Sequence, residues 1–90
     1  MSKRDRFGLY VKIESLCLEL LDSLIAAAFE SKVNKRPILA SARVKIEILK
    51  RLTRLAYSIK AIDLKKYTRL ETELQEISKM TSGWIRYLTQ

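Results

Sequence analysis

Only two glycines and one proline interrupt ninety residues, and this scarcity of turn material constrains the fold more than any other feature. A many-stranded sheet needs frequent reversals with Gly, Pro, Asn or Asp at each. Here the breakers are separated by long stretches rich in Leu, Ile, Ala, Glu and Lys, in which apolar positions recur at three- and four-residue spacing. The pattern predicts an all-α chain, an antiparallel up-down helical bundle forming a single domain over residues 1–90. Helices are expected at about 7–29, 37–59 and 64–89. Apolar residues make up 48% of the chain, enough to offset the entropy of ordering it, so a folded module is expected rather than a disordered one.

The first predicted helix, Phe7 to Phe29, has polar residues on one narrow side only. Its apolar arc runs through Leu9, Ile13, Leu16, Leu20, Leu24 and Ala28 and widens to take in Cys17, Leu21 and Ile25. An arc that broad exceeds the need of one packing partner, so cover from several directions is expected. Residues Ser31 to Arg36 are read as the first loop, with Pro37 in the first turn of the next helix, where its missing N–H leaves nothing unpaired.

On the second helix, Leu39, Ala42, Ile46, Leu49, Thr53 and Ala56 form one seam, and Ile48, Leu52, Leu55, Ile59 and Ile62 form another. Together they span roughly 220° at about 100° per residue. Asp63 is the expected N-cap of the third helix. Tyr67, Leu70, Leu74, Ile77, Thr81, Trp84 and Leu88 then make a single coiled-coil-like seam. Gly83 inside that helix destabilises it by about 1 kcal/mol relative to alanine, which predicts close approach of a neighbouring backbone or of the Trp84 ring. The surplus of apolar surface on the first two helices predicts self-association, with Leu49, Leu52, Leu55 and Trp84 as candidate core or oligomer-interface residues.

The inventory also excludes chemistry. There is no histidine and a single cysteine, Cys17, set between leucines. No Ser/His/Asp or Cys/His arrangement is possible, no cysteine-based metal set exists, and a reducing, cytoplasmic setting is expected. Isolated glycines form neither a P-loop nor a dinucleotide fingerprint. Glu19 and Asp22 interrupt the most apolar stretch, and the charged start shows no cleavage pattern, so neither a membrane span nor a signal peptide is read. The chain is therefore expected to be no enzyme and to use no cofactor or metal.

What remains is charge. Eighteen Lys and Arg against ten Asp and Glu give a formal +8, a field that attracts polyanions. On the helical wheel much of it gathers on the second helix as a strip of Arg36, Arg43, Lys50 and Arg54, with Glu47 within it and Arg51 at its edge. These five basic residues are the candidate nucleic-acid contacts, suited to phosphate binding without sequence readout.

Several segments resemble the accessory variability determinant (Avd) proteins of diversity-generating retroelements, within a wider group of small four-helix-bundle proteins. The resemblance covers Arg6-Phe7-Gly8-Leu9 and Ile13-Glu14, then Leu49 to Ala56 (LKRLTRLA), Tyr67-Thr68-Arg69-Leu70, and finally Glu76 to Ile85 (EISKMTSGWI). It implies a non-enzymatic partner of a reverse transcriptase, a basic homopentameric barrel that engages template RNA or cDNA during mutagenic reverse transcription. The family's paired basic residues fall on Lys50 and Arg54. Ser78 and Ser82 depart from the pattern, standing where glycines are common, and the N-terminal helix of longer members has no counterpart before Phe7. The fourth bundle position is thus expected to be vacant, supplied by another subunit or filled by a partner. The alternatives are an assembly module that meets an acidic protein surface, and a four-helix-bundle protein of the ribosomal RNA intervening-sequence type without nucleic-acid activity.

Overall fold

The computed structural model describes residues 3–89, which form three helices: α1 (Lys3–Phe29), α2 (Lys32–Ser58) and α3 (Leu64–Thr89). Met1, Ser2 and Gln90 of the expected domain lie outside the described residues, as do the side chains of Lys3, Asp5 and Thr89. There is no strand among the described residues.

Two helix starts differ from expectation: α1 begins at Lys3, four residues before Phe7, and α2 at Lys32, five before Pro37. Local chemistry explains the second. Residues 32–36 are helical, and the first connection is only Glu30 and Ser31. Ser31 is extended, with φ −66° and ψ 159°, and its Oγ accepts a hydrogen bond from the Asn34 N–H at 3.4 Å. Asn34 Nδ2 in turn donates to Glu30 Oε2 at 3.3 Å. This cap starts the helix five positions before Pro37, which therefore lies inside α2 and forgoes one bond to the carbonyl four residues back. The serine cap, rather than the proline, sets the start.

The second connection keeps its expected place. Ala61 N–H donates to the Ala56 carbonyl at 2.7 Å and Lys60 N–H to the Tyr57 carbonyl at 3.0 Å, a Schellman closure with Lys60 in the left-handed position at φ 60°. Asp63 then caps α3, its Oδ1 accepting from Lys66 N–H at 2.8 Å.

α2 is the middle helix. Lys45 Nζ donates to Ser23 Oγ at 3.0 Å across the α1–α2 contact. On the other side, Arg36 reaches Leu88 and Arg54 reaches Glu71, so residue numbers rise along α2 as they fall along α3, the mark of an antiparallel pair. α1 and α3 both pack along α2 yet do not come within 8 Å of one another at Cα. The body is consequently flat, 47 × 20 × 14 Å.

The seam of α2 from Leu39 to Ala56 is buried at every predicted position. Its Ile46 and Leu49 join Ile13, Leu16 and Leu20 of α1 and Leu74 of α3 in the main core, while Leu39, Ala27 and Leu88 form a smaller cluster at the opposite end. Each fully buried leucine or isoleucine contributes about 1.5–3 kcal/mol of transfer free energy. Two hydroxyls enter this apolar setting without a hydrogen-bond partner, Thr53 Oγ1 and Thr81 Oγ1.

The second predicted seam of α2 is different. Ile62 is buried and Leu52 and Ile59 are half-buried, but Ile48 and Leu55 are exposed. α1 likewise lacks the several-sided cover expected of it within the chain, since Phe7, Leu18, Leu21, Ile25 and Phe29 are all exposed. Along its α3 side, Cys17, Leu21 and Leu24 face Leu70 and Ile77 across a groove floored by Leu20 and Leu74. No backbone of another helix approaches Gly83 within the chain: beyond its chain neighbours, a Cβ placed there would meet nothing within 4 Å.

Candidate nucleic-acid interface

The basic strip lies where α2 borders α3, and that position divides its members. Arg36 Nη2 donates to the Leu88 carbonyl at 2.7 Å, placing a guanidinium on a late carbonyl of α3, where cations are favoured by the helix dipole. Arg54 Nε stands 4.0 Å from Glu71 Oε1. That carboxylate oxygen is shielded from solvent and accepts no hydrogen bond, so Arg54 is its nearest compensation. Lys50 Nζ is 3.5 Å from Glu47 one turn earlier. Three of the five predicted contacts are therefore engaged within the chain.

Arg43 and Arg51 are the other two. Both are exposed, and neither has a hydrogen-bond or ion-pair partner among the described residues. With Arg36 and Glu47 they rim a shallow cleft of about 450 Å³, floored by Ala40, Val44 and Ile48 of α2 and by Ile85 of α3. The rise of a helix separates Arg43 from Arg51 by about 12 Å along the axis. The unengaged cationic centre of the strip is thus this pair, rather than Lys50 and Arg54.

The apolar floor was missed in the sequence reading. Ala40, Val44 and Ile48 recur every four residues, as do Arg43, Glu47 and Arg51, so two adjacent rows were legible on the wheel. Ile85 could not be assigned to them, because it comes from another helix.

Of the predicted interface residues, Leu49 is fully buried in the core and Leu52 packs against it, while Leu55 is exposed. Trp84 packs on the Ala27, Leu39 and Leu88 cluster, with Lys35 Nζ 5.3 Å above its ring. At the other end, Lys66 Nζ stands 5.3 Å from the Tyr10 ring. The Tyr10 hydroxyl is held above its ordinary pKa by its hydrogen bond to Glu14 and that carboxylate's charge. Burial pushes the Cys17 thiol up as well, helped by Glu73 and Glu14, which disfavours the reactive thiolate.

Among the described residues no group of three or more His, Cys, Asp or Glu could hold a metal ion, and no helix is long and apolar enough to cross a membrane. No protein-family model matches the chain, and no curated protein or solved structure matches it.

Proposed function

We propose that the protein is a basic helical assembly protein without catalytic activity that binds RNA or cDNA through phosphate contacts and supports a reverse transcriptase, as the resemblance to Avd proteins implies. The observation that carries the reading is the pair Arg43 and Arg51, two exposed guanidiniums without partners on one face of α2 beside the Arg36 rim. An arginine fork matches phosphate oxygens, and each phosphate neutralised releases condensed counterions. Few such contacts per subunit make weak binding, so repetition across a homo-oligomer, five copies in the resembling family, supplies the avidity.

Fluorescence anisotropy with labelled single-stranded RNA and DNA tests this. Binding is expected at low salt, with an affinity that falls steeply as salt rises and is lost in R43E/R51E. The same variant is expected to lose its support of cDNA synthesis by the cognate reverse transcriptase. No affinity at low salt, or affinity indifferent to salt, overturns the nucleic-acid reading.

One observation favours a second reading. The cleft floor of Ala40, Val44, Ile48 and Ile85 suits an apolar side chain better than a phosphate, which fits an acidic amphipathic helix as occupant. Replacing Val44 with glutamine separates the two: nucleic-acid binding survives it, whereas helix docking does not.

A further inference from the structure

α1 carries two parallel stripes of heptad type, and the fold uses only one. Ile13, Leu16, Leu20 and Ala27 are buried. The second stripe consists of Phe7, Val11, Leu18, Leu21 and Ile25, all exposed, spaced alternately by four and three residues once Glu14 is counted in its place. Arg4 and Ala28 continue it at either end, also exposed. A 3.5-residue repeat of this kind is the pattern by which one helix packs on another helix of its own sort.

We infer that this stripe is the seat of a second copy of the chain, whose own α1 packs against it in the antiparallel sense about a twofold axis. Three observations choose this occupant and this direction. The first is charge. The first half of α1, residues 3–15, has four cations and two anions, whereas the second half has two anions, Glu19 and Asp22, and no cation. An antiparallel pair sets each basic half against an acidic half. A parallel pair would stack like on like and would bring the basic ends together beside Lys65, Lys66 and Arg69 of α3.

The second is register. Pairing Phe7 with the partner's Ile25 and Val11 with the partner's Leu21 also pairs Glu14 with the partner's Leu18 and Arg4 with the partner's Ala28. All eight stripe positions are then used, and the axis passes beside residue 16. The third is area. With about 150–200 Å² for a large apolar side chain, the exposed parts of the stripe and of Phe29 amount to roughly 600 Å² per copy. Two copies together thus reach about the 1,200 Å² at which specific interfaces begin.

The inference rests on the self-association in the proposed function and names its surface and symmetry, setting an even copy number in place of the five of the resembling family, and it leaves the Arg43 and Arg51 cleft on α2 outside the contact. Light scattering on the full chain is expected to give twice the 10.5 kDa subunit mass or an even multiple of it. L18E, at a position already 63% exposed within the chain, is expected to keep the wild-type helicity while the mass halves and the melting temperature falls and no longer depends on protein concentration. Spin labels then read the direction. On a C17S background, S15C lies one residue from the axis and is expected to report an inter-copy distance below about 20 Å, whereas F29C, thirteen residues from it, reports about 40 Å at 1.5 Å rise per residue. A monomer at all concentrations overturns the pairing and self-association together. An odd copy number, a mass indifferent to L18E, or short distances at both labels overturns the pairing alone and leaves self-association to another face. Loss of RNA binding by R43E/R51E at unchanged mass touches neither.

Discussion

α1 and α2 are each 27 residues long and lie against each other, yet they treat their apolar side chains in opposite ways. α2 hides a complete seam, with Leu39, Ala42, Leu49 and Thr53 at 0% exposure, and carries its charge on a defined strip. α1 is the more apolar helix and leaves six of its large apolar residues in solvent. The difference lies in position. A helix between two neighbours is covered on two sides, whereas a flanking helix is covered on one, however apolar its sequence. Apolar content set how much surface was available to bury; the neighbours decided how much of it was buried.

The strongest way to break that comparison is to truncate one leucine from each helix. Leu49→Ala empties a fully enclosed site and is expected to lower stability by about 2–5 kcal/mol, read as a fall in urea midpoint. Leu18→Ala in α1 is expected to change the stability of the single chain by less than about 0.5 kcal/mol. Equal losses in the monomeric protein would show that α1's outer face is covered within the chain itself.

Within the basic strip the contrast is between tied and free arginines. Arg54→Glu places a second carboxylate beside the shielded Glu71 oxygen, and a loss of about 1–2 kcal/mol is expected. Arg51→Glu, with no partner to abandon, is expected to leave the thermal midpoint nearly unchanged. A similar fall in both melts would erase the distinction.

The buried seam has one flaw that a substitution can sharpen. Thr53 Oγ1 accepts and donates nothing, so Thr53→Val keeps the shape, removes an unsatisfied polar group, and is expected to raise stability by about 1 kcal/mol in denaturant titration. Gly83 tests the flanking helix α3 in the same way. With open space around its Cβ position, Gly83→Ala is expected to stabilise by about 0.5–1 kcal/mol through helix propensity. If it instead weakens assembly without harming the fold, another copy approaches there.

The smallest effect concerns Cys17. Its folded pKa is raised by burial, so the folded thiol keeps its proton at a pH where the unfolded one has lost it. The stability linked to this group is complete below the unfolded pKa and declines as pH rises through the folded one. Alkylation near pH 8 is expected to be slower in the native protein than in urea, with the gap closing as pH climbs.

Much of this architecture was legible in residue spacing. The inner seam of α2, the α3 stripe from Tyr67 to Leu88 and the Asp63 cap follow from local chemistry and helical periodicity, which act within a few residues of each other. The start of α2 was misplaced because two local signals competed, and Ser31 satisfied orphan N–H groups that Pro37 could not. The basic strip was legible as a set of positions but not as a set of states. Whether Arg36, Lys50 and Arg54 are free depends on the Leu88 carbonyl, Glu47 and Glu71, and two of those three belong to another helix.

By itself, then, the sequence determined that the chain is helical, which face of α2 and α3 turns inward, and that eight more cations than anions must be accommodated. Tertiary structure alone decided that α2 lies between the other two, that α1 keeps its second stripe uncovered, and that Arg43 and Arg51 are the unengaged cations of the strip. The division follows from range. Periodicity and capping are properties of neighbours along the chain, whereas burial and ion pairing are set by which surfaces distant segments bring into contact.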